Sequence, residues 1–131
     1  MLTIYHAAGT RSMRVIWLCH ELDLPLTIET VPFTAEFRAS DEWRAKSPSG
    51  KVPAMEDDGL VMFESGAMVD YILYRYGEGR LRPLPGSHED AIYRQWCWFA
   101  EETLARPIGD VAQHTHVRAP EDRIPAVADD G

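Results

Sequence analysis

The sequence predicts an α/β protein: a β-α-β-α-β-β-α unit followed by the start of an all-helical part. Three observations carry this. Residues 2–31 read strand, helix, strand, which implies parallel neighbours joined by a right-handed crossover. Residues 52–64 hold two apolar runs, "VPAME" and "LVMFE", separated by "DDG", and Asp-Gly between apolar runs signals a hairpin. A helix, a Gly/Pro-rich stretch and an aromatic helix then follow. Joining a parallel half to an antiparallel half leaves sheet faces that helices must cover, the α/β solution.

The elements follow in order. "LTIY", residues 2–5, is a β-rich run and "HAAGT" after it is a loop. Val15, Leu18, Cys19 and Leu22 recur at i, i+3, i+4 and i+7, one face of an amphipathic helix, and Ser12 stands where an N-cap would. Leu24-Pro25 stops this helix and "LTIETV" is the second strand. Residues 35–46 form a polar helical crossover to the hairpin. In "ESGAMVDYILYRY", Met68, Val69, Ile72 and Tyr76 share a helix face, and Gly77 ends it.

The stretch "GEGRLRPLPGS" reads as a linker. The chain thus divides into an α/β domain at 1–77, a linker at 78–87 and the first part of an all-α domain at 88–131. In the last segment, Tyr93, Trp96, Cys97, Ala100 and Leu104 keep helical spacing, while Trp98 and Phe99 lie off that stripe. A helix apolar nearly all round is expected to be buried among others. Pro107 is expected to kink or end it. The tail from residue 108 is polar and without clear period, apart from a short helix near "DRIPAVA". The aromatic helix lacks partners in so short a tail, so the chain either dimerises through it or is the front of a longer protein.

Net charge is −8 over 131 residues, which argues against nucleic acid or an anionic membrane as partner because phosphates repel it. No apolar stretch reaches the ~18 residues of a membrane span, and "MLTIYHAAGTR" does not read as a signal peptide. Cys19 and Cys97 are expected to be buried free thiols of a cytoplasmic protein. His114 and His116 stand two apart with no further ligand at metal spacing, so no metal site is expected.

Three stretches offer chemistry. In "GKVPA", Pro53 lacks an N–H and suits the first position of a strand. A cis bond there would turn Val52 to present its N–H and C=O to another peptide, whereas a trans bond would leave an ordinary strand start. Lys51 beside it reads first as a solvated charge. In "ESGA", Ser65 can cap the helix, the first-turn N–H groups attract a carboxylate, and Glu64 can accept from an ammonium group. In "GTRSMRV", Thr10, Arg11 and Ser12 gather two hydroxyls and a cation at a helix N-terminus, which favours an anion such as a thiolate. The absence of Cys-x-x-Cys there speaks against a dithiol oxidoreductase.

The order "TRSMRV", "SPSGKVPAM", "GLVMFESGAMVDYI", Gly/Pro linker, aromatic helix resembles the cytosolic glutathione S-transferases over residues 2–105. The resemblance implies a thioredoxin-like N-terminal domain, an all-helical C-terminal domain and a homodimer. It implies glutathione as co-substrate and a small electrophile as the second substrate. Pro53 would be the cis-proline and Val52 the residue whose backbone pairs with the cysteinyl part of glutathione. Glu64 and Ser65 would hold the γ-glutamyl group, with Lys51 and Arg11 completing the binding set. The family's thiol-activating serine falls on Thr10, with Ser12 as the alternative. Ser47-Pro48 replaces the family's usual Asn-Pro. The implied helical domain is incomplete, which leaves open a glutathione-binding module without turnover, or a glutathione-dependent reductase or isomerase.

Overall fold

A computed structural model describes residues 1–129. The strands are β1 (Leu2–His6), β2 (Leu26–Thr30), β3 (Ala54–Asp57) and β4 (Leu60–Phe63). The helices of the same region are α1 (Ser12–Glu21), α2 (Ala35–Ala39), α3 (Asp41–Lys46) and α4 (Ser65–Tyr76). The sheet order is β2-β1-β3-β4, with β1–β2 parallel and the other two pairings antiparallel. This is the thioredoxin-like arrangement expected, with four strands and helices on the sheet.

Register sorts the core into two faces. Ile4 pairs with Met55 and Tyr5 with Ala54, and successive strand residues point to opposite faces. Tyr5 and Ala54 cluster with Ala7, Trp43 and Val52, against which Val31 and Phe37 pack. On the other face, α1 packs against α4 and β1. Val15, Cys19, Met68 and Ile72 there are fully buried, each aliphatic side chain contributing about 1.5–3 kcal/mol relative to exposure. At the far end of the hairpin, Asp57 is buried and accepts hydrogen bonds from Tyr71 and Tyr76 of α4. These bonds tie the helix to the turn.

Several local expectations are corrected. β1 extends one residue further, to His6. The crossover is two helices rather than one, because Ser40 is extended (φ −64°, ψ 145°) and its hydroxyl accepts the Trp43 N–H to start α3 afresh. Ser12 and Ser65 are not caps. Each is the first residue of its helix, after Arg11 and Glu64, and neither helix start has a side-chain cap bond.

The chain forms two compact units, the first Met1–Arg82 and the second starting at Pro83. In the second, α5 (His88–Trp98) starts from a reciprocal cap: Ser87 accepts the Asp90 N–H and Asp90 accepts the Gly86 N–H. Pro107 does not end the helix. A wide-turned segment, Phe99–Leu104, precedes α6 (Ala105–Ala112). Its i→i+5 bonding, such as Ala105 N–H to Ala100 O, suits a proline ring that would clash with a normal i−4 carbonyl. The tail is more ordered than its polarity suggests. A second wide turn (Gln113–Val117) follows, then a single turn at Pro120–Asp122 and α7 (Pro125–Asp129). His114 is buried and its Nδ1 accepts the Ile124 N–H, a structural use of that side chain. Residues 130 and 131 of the expected helical part lie outside the described residues. Trp96 and Trp98 stand 59% and 66% exposed, so the expected burial of α5 on all sides is not met. Among the described residues no helix is long and apolar enough to cross a membrane, and no group of three or more His, Cys, Asp or Glu is placed to hold a metal ion.

Candidate functional site

The register brings the three chemistry-bearing stretches to one edge of the sheet. Tyr5 near the C-terminal end of β1 pairs with Ala54 at the N-terminal end of β3, and Ala54 pairs with Phe63 at the C-terminal end of β4. The loop after β1, the loop before β3 and the start of α4 all leave from this row. Thr10–Ser12, Lys51–Pro53 and Glu64–Ser65 therefore share one edge although more than fifty residues separate the first from the last.

The loop after β1 carries a chain of polar contacts. His6 Nδ1 lies 2.6 Å from Ser12 Oγ, Ser12 Oγ lies 2.7 Å from Thr10 Oγ1, and Thr10 Oγ1 donates to Ala7 O at 2.7 Å. Ser12 is fully buried, whereas Thr10 is half-buried and Arg11 exposed. Thr10 is thus the outer hydroxyl and Ser12 the inner one.

The loop before β3 is braced from both sides. The Val52–Pro53 bond is cis. Val52 precedes the ladder, and among the described residues no other backbone group pairs with its N–H or C=O. Ser47 is fully buried. Its hydroxyl donates to Lys51 O at 2.8 Å and accepts the Lys51 N–H. The serine that departs from the family's Asn therefore still ties the loop together. Arg38 Nε donates to Gly50 O at 3.0 Å. Gly50 has φ +64°, and a Cβ there would meet Arg38 O at 2.7 Å, so this turn requires glycine. Lys51 itself is exposed.

At the third corner, Glu64 has φ +75° and ψ 106°, a backbone region that costs a non-glycine residue about 1–3 kcal/mol and clusters at functional sites. This bend places an exposed carboxylate immediately before the buried Ser65 and the first turn of α4. The unsatisfied N–H groups of that turn suit an anion. A carboxylate beside an N–H array can hold the ammonium and carboxylate of one amino acid.

Beneath the site, Tyr5 meets Trp43 edge-on at 5.8 Å. Lys46 lies over the Tyr5 ring at 5.0 Å and pairs with Glu56. That hydrogen bond holds the Glu56 carboxyl below its ordinary range and raises Lys46.

Thr10, Arg11, Ser12, Lys51, Val52, Pro53, Glu64 and Ser65, which sequence reasoning named by motif, all fall along this edge. That reasoning did not single out His6 and Arg38, nor the bracing contacts of Ser47, all of which touch these loops. His6 carried no local signal, since Ser12 lies six residues on and only the turn of the loop brings it within 2.6 Å.

Residues 4–80 match the family described as "Glutathione S-transferase, N-terminal domain". Glutathione S-transferase 3 of Schizosaccharomyces pombe is 32% identical over 108 residues, 79% of this chain and 43% of its own length. Glutathione S-transferase GstB of Escherichia coli is 30% identical over 125 residues, 92% of this chain and 59% of its own length. The chain spans about half the length of these relatives. Among solved structures, glutathione transferase URE2P8 from Phanerochaete chrysosporium, determined with oxidised glutathione, aligns with TM-score 0.86 and 26% identity, covering 98% of this chain and 60% of its own. Glutathione transferase F7 from Populus trichocarpa aligns with TM-score 0.87 and 26% identity, covering 99% of this chain and 63% of its own. Sheet order, the cis-proline loop and the motif match agree: this chain belongs to the glutathione S-transferase family.

Proposed function

We propose that this site binds glutathione and presents its thiolate to a small electrophile. The observation that carries the reading is the register row Tyr5–Ala54–Phe63, which gathers a hydroxyl pair, an unpaired peptide edge and a carboxylate beside a helix N-terminus. Each fits one part of the tripeptide. Glu64, Ser65 and the first turn of α4 take the γ-glutamyl ammonium and carboxylate. Val52 pairs with the cysteinyl backbone, the β-strand mode of peptide recognition. Lys51, with Arg11 at the rim, takes the glycyl carboxylate. Thr10, or Ser12 behind it, faces the sulfur.

The chemistry asks little of the protein. A thiol of pKa about 8.5 is only about 3% ionised at pH 7. Lowering it by about 2 units makes roughly three quarters of it thiolate, a differential stabilisation of about 2.7 kcal/mol. One hydroxyl donated to a charged sulfur near a helix N-terminus is of that order. The thiolate then attacks the electrophile, with no protein base consumed. The working form is a homodimer, as the family resemblance implies.

Calorimetry with glutathione, beside turnover of an activated aromatic halide, tests this. Binding with turnover is expected. Thr10→Val or Ser12→Ala should raise the thiol pKa of bound glutathione, read by thiolate absorbance. Binding without turnover would make the chain a glutathione-binding module. Absence of binding would remove the reading altogether.

A further inference from the structure

The hydroxyl pair does not act alone. Three short contacts run in series from His6 Nδ1 to Ser12 Oγ, on to Thr10 Oγ1 and then to Ala7 O, at 2.6, 2.7 and 2.7 Å. Each needs one proton between its heavy atoms, and Ala7 O can only accept. The two hydroxyls supply two protons. The third has one remaining source, the Nδ1 of His6. The alternative path from Ser12 to Ala7 O is long, at 3.4 Å, and using it would strip the proton from the Ser12–Thr10 contact. The series therefore has one direction: His6 donates to Ser12, Ser12 to Thr10, and Thr10 to Ala7 O.

We infer that His6 is a positioning residue for the thiol site, held as its Nδ1–H tautomer, and that Thr10 is the terminal donor to the sulfur with buried Ser12 as the link between them. This rests on the reading of the site as a glutathione site. A thiolate arriving at half-buried Thr10 competes with Ala7 O for a single proton. When Thr10 turns that proton outward it gives up its bond to Ala7 O, but its oxygen still accepts from Ser12, and Ser12 still accepts from His6. With the opposite tautomer, Ser12 would donate to His6. Turning Thr10 outward would then leave two oxygens 2.7 Å apart with no proton between them. The ring thus decides whether the Ser12–Thr10 contact keeps its proton when the outer hydroxyl serves the ligand. Ser12 has its proton committed and no exposed surface, so it does not meet the sulfur. The order of the two candidate hydroxyls follows.

The ring tautomer is read first, in the ligand-free chain, by two-bond nitrogen–proton correlations of the His6 imidazole. The Nδ1–H form is expected, and an Nε2–H ring overturns the inference whatever the chain binds. The thiol pKa of bound glutathione is then measured by thiolate absorbance in the wild type, His6→Phe and His6→Asn. Phe keeps a ring but removes the donor, and should raise the thiol pKa by about one unit, a tenfold fall in the thiolate-to-thiol ratio. Asn places an amide N–H near the Nδ1 position and should restore it. Binding of S-methylglutathione, which has no thiol proton, should be unchanged across all three. An unaltered thiol pKa in His6→Phe, or an equal rise in both variants, overturns the relay while leaving glutathione binding standing. A wild type that binds no glutathione overturns both.

Discussion

Burial separates residues of the same type. Cys19 is fully buried and its thiol is pushed up to about 11 by desolvation, so it is neither ionised nor reachable at neutral pH. Cys97 is half-buried. Alkylation of the native chain at pH 7.5 should therefore label Cys97 and spare Cys19 until denaturant is added, as read by peptide mass mapping. The tyrosines around Asp57 make a pH prediction. The hydrogen bond to Asp57 raises Tyr76, and burial followed by the same carboxylate raises Tyr71. Groups raised in the folded state stabilise it fully below their unfolded value of about 10 and lose that contribution as pH rises through the folded values. Denaturant midpoints should thus fall on an alkaline limb above about pH 10, and Tyr71→Phe/Tyr76→Phe should flatten that limb. At neutral pH, Tyr76→Phe should cost about 1.5–3 kcal/mol, the range for hydrogen bonds to charged groups. At this scale the motif residues were legible in the sequence because each sits at a fixed place in a recognisable string. His6 was not legible, since its role depends on a hydroxyl six residues on that only the turn of the loop brings within 2.6 Å.

Two backbone positions hold the loops in shape, and they make opposite predictions. Gly50→Ala would force a Cβ against Arg38 O at a positive φ. It should destabilise the fold by more than about 1 kcal/mol and weaken glutathione binding with it, since Lys51 and Val52 follow directly. Glu64→Gly relieves the strain at φ +75°. It should leave thermal stability equal or higher while lowering glutathione affinity, because the carboxylate goes with the strain. Calorimetry and a thermal melt on the same samples check both. Strand identities and the hairpin were legible from alternation and Asp-Gly. The helix starts were not, because serine at a helix start reads as a cap from sequence alone. Here strained Glu64 and αR Arg11 occupy the cap positions. Pro107 likewise reads as a stop unless a wide turn before it is foreseen.

Over the whole molecule, both units carry exposed large apolar side chains. The first has a buried core on both sheet faces but leaves Met13, Trp17, Tyr74 and Leu81 more than half exposed. The second leaves Ile92, Trp96, Trp98 and Ile108 more than half exposed, and exposed apolar side chains mark an interaction surface where they are contiguous. A hydrophobic dye should bind the native chain and fluoresce, and Trp96→Arg with Trp98→Arg should lower that signal. The sequence foretold a helix hungry for partners but not which faces stay open, because that depends on what packs against it.

The register row joins segments far apart along the chain, and this has a consequence for ligand binding. A tripeptide lying across Thr10, Val52 and Glu64 would clip together three stretches that no local bond connects. Such a ligand behaves as a removable cross-link. At a hundredfold excess over its dissociation constant it should raise global stability by about 2.7 kcal/mol. Amide exchange should then slow in β1, β3 and β4 together rather than at the loops alone, so that protection far from the sulfur reports occupancy of the site.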